Sequence, residues 1–394
     1  MELKDVVILD GVRTAIGDFG GGLSALKPVE LGTAAAYEAI RRSGVPAEDI
    51  DHSVFGHIIA TGPEDAYLAR HIGLNVGLLQ SAAAFNVNRL CGSAVQSVIS
   101  AAQMIMRGDS RIALAGGAEC MSRGAYVLPN ARQGLRMGDG AVLDLTVNTL
   151  TDPFGSGHMG VTAENVAREF GLTRTDLDAF SVESHRRACE AIDQGRFDAQ
   201  VVPVLARHGR KEVSVCRDEH PRAATTLETL ANLKPVFKKD GIVTAGNSSS
   251  LNDGAAAMVL TSRAEADRRG LEPRARLIAY AFAGVAPEMM GLGPIPAVRR
   301  VLADTGLQVS DFDVIESNEA FAAQAIVVAR ELGLDEAKVN PNGGAVALGH
   351  PVGATGSIII IKALAELERI DGRFGLVTMC IGGGQGIALV LERL

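Results

Sequence analysis

The last third of this 394-residue chain repeats its first third at one fixed spacing. Gly44, Asp49, Asp51 and Arg111 correspond to Gly306, Asp311, Asp313 and Arg373, each pair 262 positions apart. The local strings agree too: SGVPAEDIDHSVF stands beside TGLQVSDFDVIES, and RIALAGGAE beside RFGLVTMCI. Agreement at one spacing in several places marks an internal duplication. The pattern alternates short β-rich runs with helical ones, which argues for α/β layers. Val6–Leu9 reads as a strand, Glu30–Arg42 as a helix ended by Ser43-Gly44, and Val54–Ile59 as a strand. Ser93–Met106 reads as a helix with apolar residues at 3/4 spacing, and Ile112–Ala115 as another strand. The expected organisation is two similar halves with a long insertion between them. Residues 1–120, completed by about 252–272, form the first half; 121–251 are the insertion; 273–394 form the second half. The insertion is richer in Pro, His, Arg and Thr, and its charged pieces, such as Arg207–Lys211, read as a solvated face.

Composition narrows the function classes. Lys plus Arg number 38 and Asp plus Glu 46, for a formal net charge of −8. An acidic chain with no basic run does not suit nucleic acid, whose affinity comes mainly from cations on phosphates. A hydrophobic fraction of 47% supports a large core and excludes a disordered chain. The longest aliphatic block, Ile358–Ile361, is broken by Lys362, far short of a membrane span. The start, MELKDVVILDG with Glu2 and Asp5, suits neither a secretory signal nor an Arg-rich transit peptide, and the end, VLERL, is no peroxisomal address. Cys91, Cys120, Cys189, Cys216 and Cys380 are scattered without a CxxC pair. Free thiols in a reducing cytoplasm are therefore expected, with no zinc site or disulfide framework. Glycine is in excess: 45 residues, about 11% against the usual ~7%. Many of these glycines cluster where chemistry is plausible.

In NVNRLCGSAVQ, Cys91 lies just before the helix that starts at Ser93. A helix N-terminus favours a thiolate and offers backbone N–H groups to an oxyanion. The alternatives there are a nucleophile and a buried structural cysteine. In NPNGGAVALGHPVGATGS, His350 sits among five glycines ahead of a helix at Ser357–Glu368. Imidazole is the usual base for a thiol; the competing phosphate-loop reading lacks the Lys-Ser/Thr it needs. In MCIGGGQG a strand ends at Cys380, and Gly382 to Gly384 allow a ligand carbonyl close approach. Asn318 in SNEAF reads first as an N-cap, second as an amide holding a water or substrate oxygen. Glu319 reads as a first-turn acid or as an orienter of His350. In TAGNSSSLNDG, Ala245, Gly246, Ser248 and Ser249 could line a narrow passage, while Asn247, Asn252 and Asp253 fix loop backbone.

Taken together, NRLCGS, HMGVTAENVA, TAGNSSSLNDGAAA, NEAFAAQ, GGAVALGHPVGATG and MCIGGGQG closely resemble the thiolase family, in its order along essentially the whole chain. RLCGS and the chain length look more like the biosynthetic group than the degradative one. The resemblance implies a five-layered α-β-α-β-α fold of two duplicated halves with an inserted loop domain, and commonly a homotetramer. It implies reversible Claisen condensation of two acyl-CoA molecules, or thiolysis of 3-ketoacyl-CoA, with CoA as substrate rather than resident cofactor and no metal. Carried over by motif, Cys91 is the acylated nucleophile, His350 its base, and Cys380 the group that moves the α-proton. Asn318 positions a water in an oxyanion hole shared with His350, and the amides of Cys91 and Gly382 form a second hole. CoA is expected on the inserted segment, with His158 and Met159 around the pantetheine, Ser249 bonded to it, and Arg222 near the nucleotide. Leu150, Phe237, Ala245 and Phe321 are expected to line the same passage. Ala94 replaces the family's frequent Gly. A thioester α-proton is acidic only if its enolate is stabilised, and a covalent intermediate lets two thioesters react in turn. The rivals are a degradative 3-ketoacyl-CoA thiolase, a ketoacyl synthase (which would carry His or Asn in place of Cys380), a protein that only binds acyl-CoA, and a structural assembly protein.

Overall fold

The computed structural model describes residues 6–208 and 211–394. Glu2 and Asp5, and Gly209 and Arg210 of the Arg207–Lys211 piece, lie outside the described residues. In the first half, β1 (Val6–Thr14) leads to α1 (Pro28–Ser43), β2 (His52–Gly56), α2 (Leu68–Asn75), β3 (Ala83–Val87), α3 (Ser93–Arg107) and β4 (Ile112–Cys120). The inserted segment contributes α4 (Met159–Glu169) and α5 (Arg174–Asp193). Then follow β5 (Asn252–Ser262), β6 (Ala275–Gly284), α6 (Pro294–Thr305), β7 (Val314–Ser317), α7 (Ala322–Leu332), α8 (Thr355–Arg369), β8 (Phe374–Ile381) and β9 (Gln385–Arg393).

Local chemistry sets the helix ends. α1 begins with Pro28, whose fixed φ suits the first turn, and Glu30 reaches back to the Lys27 N–H at 2.8 Å. It stops at Gly44, whose φ of 69° closes the helix in the left-handed region.

The strands run in the order β7-β8-β9-β6-β1-β5-β4-β2-β3. The duplication is visible in that order, since β2, β4, β5 and β1 match β7, β8, β9 and β6 one for one. α3 and α8 also begin and end 262 residues apart. β5 returns from beyond the insertion to lie antiparallel between β1 and β4. The two half-sheets meet along a short seam, where Val7 and Ile8 of β1 face Arg276 and Ala275 of β6.

The layers follow from which faces are covered. α1 packs on β1, β4 and β5, and α6 on β6 and β9. Between the half-sheets, α3 and α8 pack on each other and on strands. α8 touches strands of both halves, and its buried residues run from Thr355 through Leu367 with few exceptions. A helix apolar all round belongs at the centre of a protein. α4 and α5 lie against α7.

Two strands differ from the sequence reading. β4 continues to Cys120, because both its faces are buried. β2 stops at Gly56 rather than Ile59, because the Glu119 carboxylate takes the Ile58 and Ile59 N–H groups out of the ladder.

The inserted segment is locked to the first half by a buried ion pair. Arg13 is fully buried on β1 and binds Asp218 through two parallel hydrogen bonds of 2.7 and 2.9 Å. Asp218 also accepts the Ile16 N–H, and Arg13 reaches the Gln200 side chain. Removing one partner of such a pair strands the other charge. Asp218→Asn is expected to lower unfolding free energy by about 3–5 kcal/mol, measured by urea titration.

Candidate active site

Cys91 stands at the mouth of α3. The turn before it is drawn tight: Leu90 sits at φ 46°, Asn88 Oδ1 accepts the Leu90 N–H, and Ser93 Oγ both accepts from Arg89 N and donates to Leu90 O. Gly92 is the N-cap and brings no capping side chain. A Cβ there would fall 2.5 Å from Ile381 Cδ1, so glycine leaves room for the Ile381 side chain of β8. Burial pushes the Cys91 thiol up, while the N–H groups of Gly382 and of Cys91 itself stabilise the sulfur's charge and pull it down. These are the two amides named for an oxyanion hole, and both act on the sulfur.

His350 is delivered by a short helical turn, Ala345–Leu348, that the sequence reading left as loop. Its ring is buried, and Nδ1 lies 2.6 Å from Thr355 Oγ1. The Thr355 hydroxyl gives its own hydrogen to Pro351 O, so it accepts from Nδ1–H and leaves a lone pair on Nε2. Burial holds the imidazole down at about 4, neutral at pH 7 and free to accept a proton.

Asn318 is not an N-cap. α7 starts four residues later, with Phe321 at its cap position. The Asn318 amide instead lies 3.5 Å from His350 Nε2, and its Oδ1 is buried with no partner among the described residues. Glu319 is not a first-turn acid of α7; its contacts fit the other reading, an orienter of His350. It is buried and accepts from Ser184 Oγ, Asn340 Nδ2 and the Val346 N–H, so it braces the turn that delivers His350.

Cys380 is the penultimate residue of β8, just before the β8–β9 turn, and almost wholly buried. Burial and then the nearby Cys91 charge push its thiol well above the ordinary range. Gly382 follows in the turn, beside Leu90 and Met159.

A cavity of about 800 Å³ opens in front of these groups, with Cys91, His350 and Gly382 on its wall. Cys380 and Asn318 are buried and not part of its lining. All eight residues named for the CoA passage line the cavity. His158 stacks on Phe237 at 4.7 Å, and Phe237 meets Phe321 edge-on at 6.1 Å. Met159, Leu150 and Ala245 add small or flexible apolar surface. Ser249 spends its hydroxyl hydrogen on Ala320 O, so its oxygen remains as an acceptor. Arg222 is exposed at the cavity and forms no ion pair among the described residues.

Several supporting residues escaped the sequence reading. Thr355 fixes the His350 tautomer. Asn340, at φ 44°, closes both backbone groups of Ser317 and so sets the strand end that carries Asn318. Lys362, read as the break in an aliphatic block, is buried and donates to Glu316 Oε2 at 2.8 Å and Gly343 O at 2.7 Å. His57 is buried between Glu119 and Asp65. Asn340 and Thr355 alone stood in a string singled out by sequence, NPNGGAVALGHPVGATGS.

Two family models match the chain: "Thiolase, N-terminal domain" over residues 6–264 and "Thiolase, C-terminal domain" over 271–393. The beta-ketothiolase BktB of Cupriavidus necator is 54% identical, over 99% of this chain and all of its own length. The crystal structure of Bacillus anthracis acetyl-CoA acetyltransferase is 44% identical and superposes with a TM-score of 0.97 over all of both chains. Human mitochondrial 3-ketoacyl-CoA thiolase in complex with CoA is 39% identical, with a TM-score of 0.97 over all of this chain and 98% of its own.

The His57 cluster gives a pH test. Burial opposes its charge, but the Glu119 carboxylate and the contacts to Asp65 and Glu119 outweigh burial and raise the imidazole to about 10. The folded state thus holds this proton more tightly than the unfolded chain, whose value is near 6.5. The resulting stabilisation is complete below about 6.5 and is lost as pH rises through about 10. The urea midpoint of the wild type should therefore fall more between pH 7 and 10 than that of His57→Asn. Equal falls would contradict the assignment.

Proposed function

The chain belongs to the thiolase family, and on that premise we propose that its site performs acetyl-CoA C-acetyl transfer, as a β-ketothiolase. It is an acyltransferase. Names of full-length relatives favour this reading over the degradative 3-ketoacyl-CoA thiolase. The observation that carries the mechanism is that Cys91, His350 and Gly382 line one cavity, with Cys380 close enough to feel the charge of Cys91.

His350 Nε2 takes the Cys91 proton, and the thiolate attacks the thioester carbonyl of acetyl-CoA. The amides of Cys91 and Gly382 hold the developing oxyanion. Collapse expels the CoA thiolate, which leaves with the proton of the Cys380 thiol, so acetyl-Cys91, a Cys380 thiolate and a His350 that keeps its Nε2–H remain. A second acetyl-CoA then enters, its thioester oxygen held by His350 and by a water on Asn318; the partnerless Asn318 Oδ1 supports that role. Cys380 as thiolate removes the α-proton, and the carbanion attacks the acetyl-Cys91 carbonyl, forming the new C–C bond and expelling the Cys91 thiolate, which takes its proton back from His350. Burial makes the Cys380 thiol a weak acid, so its thiolate is a strong base. In thiolysis the same thiol returns the proton to the departing enolate. Two half-reactions in one site give ping-pong kinetics.

CoA serves as substrate. The unpaired Arg222 suits its phosphates, the His158–Phe237–Phe321 wall its pantetheine, and the Ser249 oxygen a pantetheine amide. Among the described residues no helix is long and apolar enough to cross a membrane. We place the enzyme in the cytoplasm, as a homotetramer, forming short 3-ketoacyl-CoA for polyhydroxyalkanoate or ketone metabolism. The exposed apolar run containing Tyr126, Leu128, Met137 and Val142 supports assembly.

Cys91→Ser is expected to abolish acylation and nearly all thiolysis of acetoacetyl-CoA; near-wild-type turnover would remove the mechanism. Cys380→Ser should still trap acyl-enzyme, seen by intact mass, while losing exchange of α-protons with solvent. Thiolysis rates over a series of 3-ketoacyl-CoA lengths should be highest for short chains; a maximum at long chains favours the degradative reading.

A further inference from the structure

The mechanism leaves one buried charged cluster unused. Glu119, next to last on β4, is wholly buried, and its carboxylate accepts from the Ile58 and Ile59 N–H groups at 3.1 and 3.2 Å. Ile59 packs with Met121 and Val352 against Cys91. The carboxylate also abuts Gly353, in the loop that leaves His350; a Cβ there would strike it. The fold thus needs a buried anion at the back of the wall on which the nucleophile rests. That anion opposes the Cys91 thiolate.

His57 answers this conflict. Its Nδ1 lies 3.1 Å from Glu119 Oε1 and 3.0 Å from Ala118 O, and its Nε2 lies 3.5 Å from Asp65 Oδ2. The last is an ionic contact too long for a good hydrogen bond. Asp65 is fixed in turn by the Thr61 N–H and hydroxyl and the Gly62 N–H. Two carboxylates and a carbonyl around one imidazole favour the imidazolium. We infer that His57 is a positioning residue for the nucleophile: it cancels the charge of Glu119 beside Cys91 and seats the wall against which the sulfur packs. This rests on Cys91 being the nucleophile.

The groups that face this region can be named. Cys91 meets the Gly382 N–H, Cys380 from β8 and neutral His350 on the cavity wall. Cys120, beside Glu119 on β4, is a thiol held well up by burial and by Asp253. Glu119 is the carboxylate whose field reaches Cys91, and His57 is the cation on it.

Opposite signs make the test. The rate of inactivation by iodoacetamide is followed against pH, with the modified peptide identified by mass. Glu119→Gln leaves His57 and removes the anion, so the reactivity midpoint of Cys91 should move down by about half a unit or more. His57→Asn keeps a donor to Glu119 but removes the cation, so the midpoint should move up by about as much. The double variant should return toward the wild type. Shifts in the same direction, or none, overturn the inference. If His57→Asn does not fold, Glu119→Gln and the double variant still decide: the single must shift down and the double must lie above it. Inactivation that does not track modification of Cys91 would instead overturn the reading of Cys91, and the inference with it.

Discussion

The active site exists because two backbones touch. At the centre of the molecule the first turns of α3 and α8 press together: Ser357 Oγ donates to Ala94 O, and a Cβ on Gly356 would lie 2.5 Å from Val95 N. These are the same helix in the two copies of the duplicated unit. Cys91 lies two residues before one of them and His350 five residues before the other. Bringing the helix starts into contact therefore brings nucleophile and base to one cavity wall. The cost is steric. Gly56 sits where a Cβ would meet Gly353 O at 2.7 Å and Ala94 N at 2.8 Å. Ala94, where the family often has Gly, is accommodated here because its methyl faces Gly117.

Burial also sets the resting charge state. His350 is held neutral, and Cys91 and Cys380 are held as thiols. The site therefore waits without charge and gains it as reaction proceeds. Oriented amides and a lone pair on Nε2 are in place to receive it, so little reorganisation accompanies the chemistry.

Much of this was legible in the sequence. The repeat could be read because strand and helix limits kept one spacing, and Cys91, His350 and Cys380 because glycine-rich strings surround each. For Asn318 and Glu319 local position alone suggested a cap and a first-turn acid, since a residue between strand and helix looks like a cap, and it could not choose the alternatives, an oxygen-holding amide and an orienter of His350. Their true partners lie across the fold: Glu319 binds Ser184, 135 residues away. Lys362 pairs with Glu316 across 46 residues, and His57, inside the Val54–Ile59 run read as a strand, carries no signal until Glu119 is placed beside it. Side chains whose meaning is a distant partner leave no periodic or motif signal.

The glycine-lined contact between the halves also directs how such an enzyme can diverge. Around Gly56, Gly92 and Gly356 any added carbon meets backbone or packed core, so these positions are closed to gradual change. The cavity lining also includes Leu150, Phe237 and Met290, side chains outside that contact. New acyl preferences can therefore evolve by exchanging residues there, one at a time, while the reacting groups stay where the ancestral duplication put them.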